Sequence, residues 1–185
     1  MCKTLMRFVA ALLATCVFSG PLMAQQTVNK TARVDLLVVA SCTISTLSDL
    51  DYGSATKPQT GTGSVTISAT SGSRSASGGV TTSGSFNVGL VRLDGQNVSN
   101  YAVTASFPST LTRSGGGSLS YSRAWAQSSS SSSGYSLIGG TTYNGSGGGG
   151  NVTRYFRIGG TAGSIDAGDA AGNYDNTASL TASCN

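Results

Sequence analysis

Every second residue of one early stretch is apolar. Between Thr27 and Ser45, residues Ala32, Val34, Leu36, Val38, Ala40, Cys42 and Ile44 fall on one face. Arg33, Asp35, Ser41, Thr43 and Ser45 fall on the other, with Leu37 and Val39 as exceptions. Side chains alternate faces along an extended chain, so this spacing specifies a strand with one buried face. Its β-branched Val and Ile suit a pleated, half-buried surface. An unpaired strand exposes rows of N–H and C=O groups, so this one must complete a sheet, its own or a neighbour's.

The same period recurs downstream. Val65, Ile67 and Ala69 alternate inward, as do Phe86, Val88 and Leu90, and then Tyr101, Val103 and Ala105. Leu119, Tyr121, Arg123 and Trp125 share a face, as do Val152, Arg154, Phe156 and Ile158. Asn173 to Cys184 reads as a closing strand with Tyr174, Ala178, Leu180, Ala182 and Cys184 on one side. Leu47 to Gly53 reads as a short strand ending in a turn, and Asp94-Gly95 as a hairpin turn. Pro108 stops the Tyr101 strand. The serine run 128–133 and the glycine-rich run 145–150 are expected to be mobile surface loops. No helical period stands out beyond the first residues. About eight strands with Gly-rich turns between them predict an all-β sandwich or barrel. Many inward positions are Ala, so the core is thin, and a disulfide or help in trans would strengthen it.

Residues 1–24 have the layout of an export signal. Lys3 and Arg7 precede an apolar run from Phe8 to Phe18, and Ala24 precedes Gln25-Gln26 at a plausible cleavage point. The run is shorter than the ~20 residues that a membrane-spanning helix needs. An uncleaved anchor and lipid attachment at Cys16 are the alternatives. The organisation expected is a signal peptide at 1–24, an N-terminal extension at 25–40 and a β-sandwich domain at 41–185. Taking 24 from 185 residues leaves 161, which suits one domain. Cys42 and Cys184 are then the remaining cysteines, and export implies an oxidising compartment. One bridge between them would close a loop of about 140 residues, worth roughly 5 kcal/mol in the chain-entropy model.

Composition excludes several function classes. Charged residues make up 10% of the chain, and there is neither His nor Glu. Without His, no Ser-His-Asp or Cys-His arrangement can form, and a zinc site is improbable. A carboxylate-pair hydrolase would have to use Asp alone. Asp49 and Asp51 sit beside a turn, where Asp is expected for backbone reasons. Asp166, Asp169 and Asp175 could hold calcium through oxygen ligands, but turn chemistry explains them better. Nine Lys and Arg remain after residue 24 against seven Asp, a balance of +2 that argues for neither nucleic acid nor an anionic membrane. The chain is therefore read as no enzyme, with no cofactor and no metal. Trp125 and Tyr121 could stack on a sugar, but their spacing equally suits core packing, the favoured reading. Arg154 and Arg157 fall on opposite strand faces and do not make one patch.

The order of motifs carries a resemblance. After the signal come Cys42-Thr43-Ile44-Ser45, Leu50-Asp51-Tyr52-Gly53 and Gly63-Ser64-Val65-Thr66-Ile67. Ser73-Arg74-Ser75-Ala76-Ser77-Gly78-Gly79-Val80 and Ala171-Gly172-Asn173-Tyr174 follow. This resembles the secreted, pilin-like domains of unknown function related to spore coat protein U of Gram-negative bacteria. The resemblance implies an immunoglobulin-like antiparallel sandwich of about seven to eight strands, completed by a donor strand from a neighbouring subunit. In that reading the chain is a structural subunit of a surface fibre or pilus that mediates adhesion. Val34, Leu36 and Val38 would be the donor residues, and the acceptor groove would lie beside Asn173–Cys184, near the Cys42–Cys184 bridge. A periplasmic chaperone and an outer-membrane usher are implied, with passage through the periplasm to the cell surface. The alternative is a self-complete, monomeric secreted sandwich that binds a surface glycan or protein through Trp125 or its Ser/Gly loops.

Overall fold

A computed structural model describes residues 40–185. They form twelve strands and no helix. Eight strands have four or more residues: β1 (Ser41–Ser48), β3 (Thr62–Ile67), β4 (Arg74–Ser77), β6 (Gly89–Ser106), β7 (Thr110–Arg113), β8 (Ser118–Ser128), β10 (Thr142–Asp166) and β12 (Ser179–Cys184). Four are shorter: β2 (Ser54–Thr56), β5 (Thr81–Ser83), β9 (Ser136–Leu137) and β11 (Tyr174–Asp175). The main sheet runs β1-β6-β10-β8-β7-β11; β12 also pairs β6, β3 pairs β10 and β4, and β9 pairs β8. β2 and β5 make a separate ribbon. All pairings are antiparallel, and the curled sheet gives an all-β, sandwich-like fold, as the alternation predicts.

Two long strands bend the sheet over on itself. β6 has 18 residues and β10 has 25. Their shared register shifts between Ser146 and Val152. Opposite this shift Asn97 takes a left-handed φ of 54°. An extra residue on one strand bends it and strengthens the twist.

This bend corrects two sequence expectations. Asp94-Gly95 is not a hairpin turn but lies inside β6. The Asp94 carboxylate accepts hydrogen bonds from Arg92 Nε (3.0 Å), Arg92 Nη2 (2.8 Å) and, across the strands, Thr153 Oγ1 (2.9 Å). That satisfied cluster holds the residue extended. The glycine run 145–150 is not a loop either, because it is part of β10. Gly145 faces Tyr101 across the ladder, where the Tyr101 ring occupies the space a Cβ would take.

Other elements differ in extent. Asn173–Cys184 is not one strand: β11 pairs β7, and β12 pairs β6. Phe86 is not an inward strand residue, because β6 starts at Gly89 and the Phe86 ring lies 4.6 Å beneath the Arg74 guanidinium. Arg123 shares its face with Tyr121 and Trp125 but is exposed, stacked on Phe107 at 5.6 Å. The serine run is a loop closed by its own hydroxyls, with Ser128 Oγ donating to Ser133 O and Tyr135 OH to Ser131 O.

The main core cluster holds Leu93, Val98, Val103, Trp125 and Phe156, each at most 1% exposed. Trp125 stacks on Phe156 at 5.9 Å and meets Phe107 edge-on at 6.1 Å, while its Nε1 donates to Gly140 O at 2.8 Å. This is the packing reading of Trp125. A second cluster gathers Val65, Val80, Leu119 and Ile165.

Arg92 pairs with Asp94, whereas Arg74 pins loops. Arg74 Nη1 donates to Tyr52 O and Ser83 O, and its Nη2 to Gly84 O. Two motifs far apart in sequence, Asp-Tyr-Gly and Ser-Arg-Ser, thereby become one cluster. Gly53 fits there with φ 69°, Asp51 Oδ1 accepting from its N–H. Arg74→Ala removes three donors and a stacked ring at once. It is expected to cost about 2–3 kcal/mol, with lysine recovering only part, because charged hydrogen bonds are each worth roughly 1.5–3 kcal/mol and Lys lacks the planar fork. Urea unfolding of both variants measures this.

A cleft beside the first strand

One side of the fold is open. A cleft of about 910 Å³ reaches the interior between β1 and the segment that leads into β12. Its floor is apolar, with Ile44, Val65, Val91, Leu119 and Ile158 among its residues, and Leu111 and Leu180 flank it. The rim is polar. Lys57 Nζ donates to Ala167 O and Asp169 O, tying the β2–β3 loop to the loop after β10. Asp166 Oδ1 accepts from Gly168 N, and Asp169 Oδ2 from Asp166 N, so these acids do turn chemistry. The sequence motifs converge here: Tyr52 and Gly53, Val65, and Gly172 to Tyr174 all line the cleft. Sequence reasoning missed Lys57 and Leu111, which carry no local signal.

Two tyrosines sit at this cleft, Tyr121 buried and Tyr52 half-buried with an enclosed hydroxyl. Burial pushes Tyr121 up to about 12, although the positive charge of Arg123 opposes this, and its hydroxyl donates to Gly159 O at 2.8 Å. Burial first, then repulsion from Tyr121, raises Tyr52 well above the ordinary phenol range. In both cases the folded state holds the proton more tightly than the unfolded chain, whose phenols titrate near 10. Their stabilisation is present below pH ~10 and is lost as pH rises through the folded values. The urea midpoint is therefore expected to fall above pH ~10, and Tyr52→Phe with Tyr121→Phe to flatten that fall.

The edge of the sheet next to the cleft has a second feature. Among the described residues, β1 pairs only with β6, leaving its outer edge unpaired. β1 faces Leu90–Gln96, and β12 faces Tyr101–Ser106 on the same edge of β6. The two run in one direction, end to end. Cys42 and Cys184 join them as a disulfide with Cα atoms 6.1 Å apart, as the cysteine count predicts. The cleft is lined by Asn173–Ala178 and Leu180, and Ile44 on its floor is two residues from Cys42. Val34, Leu36 and Val38 lie outside the described residues.

A curled antiparallel domain, bridged once and open along one side, is the class that fold and site define. Residues 42–183 match the family described as a domain of unknown function, DUF4402, and the chain belongs to that family. No curated protein and no solved structure matches it. Among the described residues no helix is long and apolar enough to cross a membrane.

Proposed function

We propose that this protein is a structural subunit of a surface fibre, completed by a strand from the neighbouring subunit. The carrying observation is the apolar-floored cleft alongside the unpaired edge of β1. A strand entering there finds both a ladder partner and a hydrophobic floor, which is strand addition at an exposed edge. The donor is the N-terminal extension 25–40, with Val34, Leu36 and Val38 as the entering side chains. Burying three such side chains is worth roughly 5–8 kcal/mol before ordering costs, at about 1.5–3 each. A second observation supports a donor that leaves its own subunit. The place on β6 that a backward extension of β1 would take is held by β12.

The bridge and the signal-like first 24 residues support passage through the periplasm. The resemblance to pilin-like domains supports a chaperone, an usher and a role in adhesion. Of the alternative, a self-complete binding module, Trp125 gives no help, being 1% exposed. The deciding experiment is light scattering on the exported protein with and without residues 25–40. Long polymers are expected from the full chain only, with the truncated chain soluble and taking up a synthetic peptide of 25–40. Val34→Asp in that peptide is expected to abolish uptake. A compact monomer in both cases overturns the fibre reading.

A further inference from the structure

The main sheet has two ends, and both line the cleft. Its path runs β1-β6-β10-β8-β7-β11, so β1 and β11 are the end strands. Ile44, Ser45, Thr46 and Ser48 of β1 line the cavity, and so do Tyr174 and Asp175 of β11. The strands between them supply its interior: Val91 of β6, Ile158 of β10, Leu119 of β8 and Leu111 of β7. The cleft is therefore the inside of a curl that stops short of closing. Among the described residues β1 pairs only with β6 and β11 only with β7, so each has an unpaired outer edge. Full closure is the arrangement that removes sheet edges altogether.

The lips of this opening are acidic. Asp49 and Asp51 follow β1, Asp169 precedes β11, and Asp175 belongs to it; all four line the cleft. Asp49, Asp51 and Asp175 are exposed. Among the described residues Lys57 is the one base of the lining, and its Nζ already donates to Ala167 O and Asp169 O. Four carboxylates against one ammonium leave a balance of −3. Arg74 and Arg113 neighbour the rim, but they donate to Tyr52 O and Ser114 O rather than to these acids. A strand in the gap would turn alternate side chains to the apolar floor and the others to the lips. Opposite charges on adjacent strands stabilise their pairing, and like charges oppose it.

We propose that the cleft selects its strand by charge. It takes an extended segment in which apolar side chains alternate with Lys or Arg, paired to β1 on one side and β11 on the other. This rests on the cleft being a strand acceptor, and adds which strand it accepts. The apolar set fills the floor. The cations meet Asp49 and Asp51 on one lip, and Asp169 and Asp175 on the other. In sequence, the extension 25–40 has the matching sign, with Lys30 and Arg33 against Asp35. An acidic strand of the same apolar pattern is repelled from both lips.

The test is hydrogen exchange read by mass spectrometry over Ser41–Ser48 of the exported protein, with two synthetic peptides of about ten residues added in turn. One alternates Val with Lys, the other Val with Glu. At low salt the Lys peptide is expected to slow exchange in β1 at least about tenfold, and the Glu peptide to leave it unchanged. Raising salt to about 0.5 M is expected to narrow that difference, because exposed charges are screened. Asp49→Lys with Asp175→Lys is expected to reverse the preference. Equal protection by the two peptides at low salt overturns the charge selection and leaves the strand acceptor standing. Protection by neither overturns both. Where β1 is protected before any peptide is added, because a second copy fills the cleft, the double variant is expected to expose it. Protection that survives the double variant overturns the inference.

Discussion

Trp125→Ala lowers the unfolding free energy by about 3–5 kcal/mol, the range for truncating a fully buried aromatic. The side chain is 1% exposed and lies between Phe156 and Phe107. Its removal loses both ring contacts and leaves the Gly140 carbonyl without its indole donor. A core short of large residues cannot collapse to refill that volume, because the remaining members are mostly Val and Leu held in sheet ladders. Domains of this size are stable by roughly 5–15 kcal/mol, so the variant sits near the unfolding threshold. Equilibrium urea unfolding should show a much lower midpoint with an unchanged slope. Trp125→Phe recovers part of the loss. Leu137→Ala, at a side chain 67% exposed, stays within about 0.5 kcal/mol of wild type. If Trp125→Ala also stays within that margin, the packing account of this core is wrong.

Gly159→Ala is the second large effect. Gly159 pairs with Ala124 of β8 on β10, and the backbone leading out of β3 presses on it from the other side. An added Cβ would collide with the Ile67 carbonyl oxygen and come within 2.9 Å of the Ala69 nitrogen. Both are main-chain atoms, so no side chain can swing away. One methyl group must then push β3 off β10. Overpacking of this kind costs about 3 kcal/mol or somewhat more. For a chain of this length that corresponds to a melting temperature lower by about 5–10 °C, readable by circular dichroism. Gly139→Ala is the control: nothing lies within 4 Å of its Cβ, and its φ is not left-handed. At Gly139 the lost freedom of the unfolded chain makes Ala neutral or slightly stabilising, so a full-size drop there would overturn the close-approach account.

Much of this fold is written in local pattern. Val65 and Ile67, Tyr101 and Val103, and Leu119, Tyr121 and Trp125 are buried in the structure as their period of two requires. Cys42 and Cys184, the two cysteines beyond residue 24, are paired as that count suggests. Of the patterned stretch 27–45, residues 41–45 lie in β1, and residues 27–39 lie outside the described residues.

The sequence misleads where two distant segments meet. Asp94-Gly95 has turn chemistry, yet Arg92 and Thr153 hold it extended, and Thr153 lies 59 residues away. The glycine run looks like a flexible loop, yet Gly145 is small so that Tyr101 can lie across it. Lys57 gives no sign that it will clasp the loop at Asp169. The candidate site belongs to this second kind, since its residues come from β1, β3, β8, β10 and the approach to β12.

Strand class, most inward faces and the single bridge are local properties, because they depend on neighbours two residues apart or on there being two cysteines beyond residue 24. That β12 and β1 share one edge of β6 end to end, and that the sheet stays open beside them, emerges from long-range pairing alone. Ladder pairing depends on which long strand bends where, and no window of sequence holds both partners of that bend.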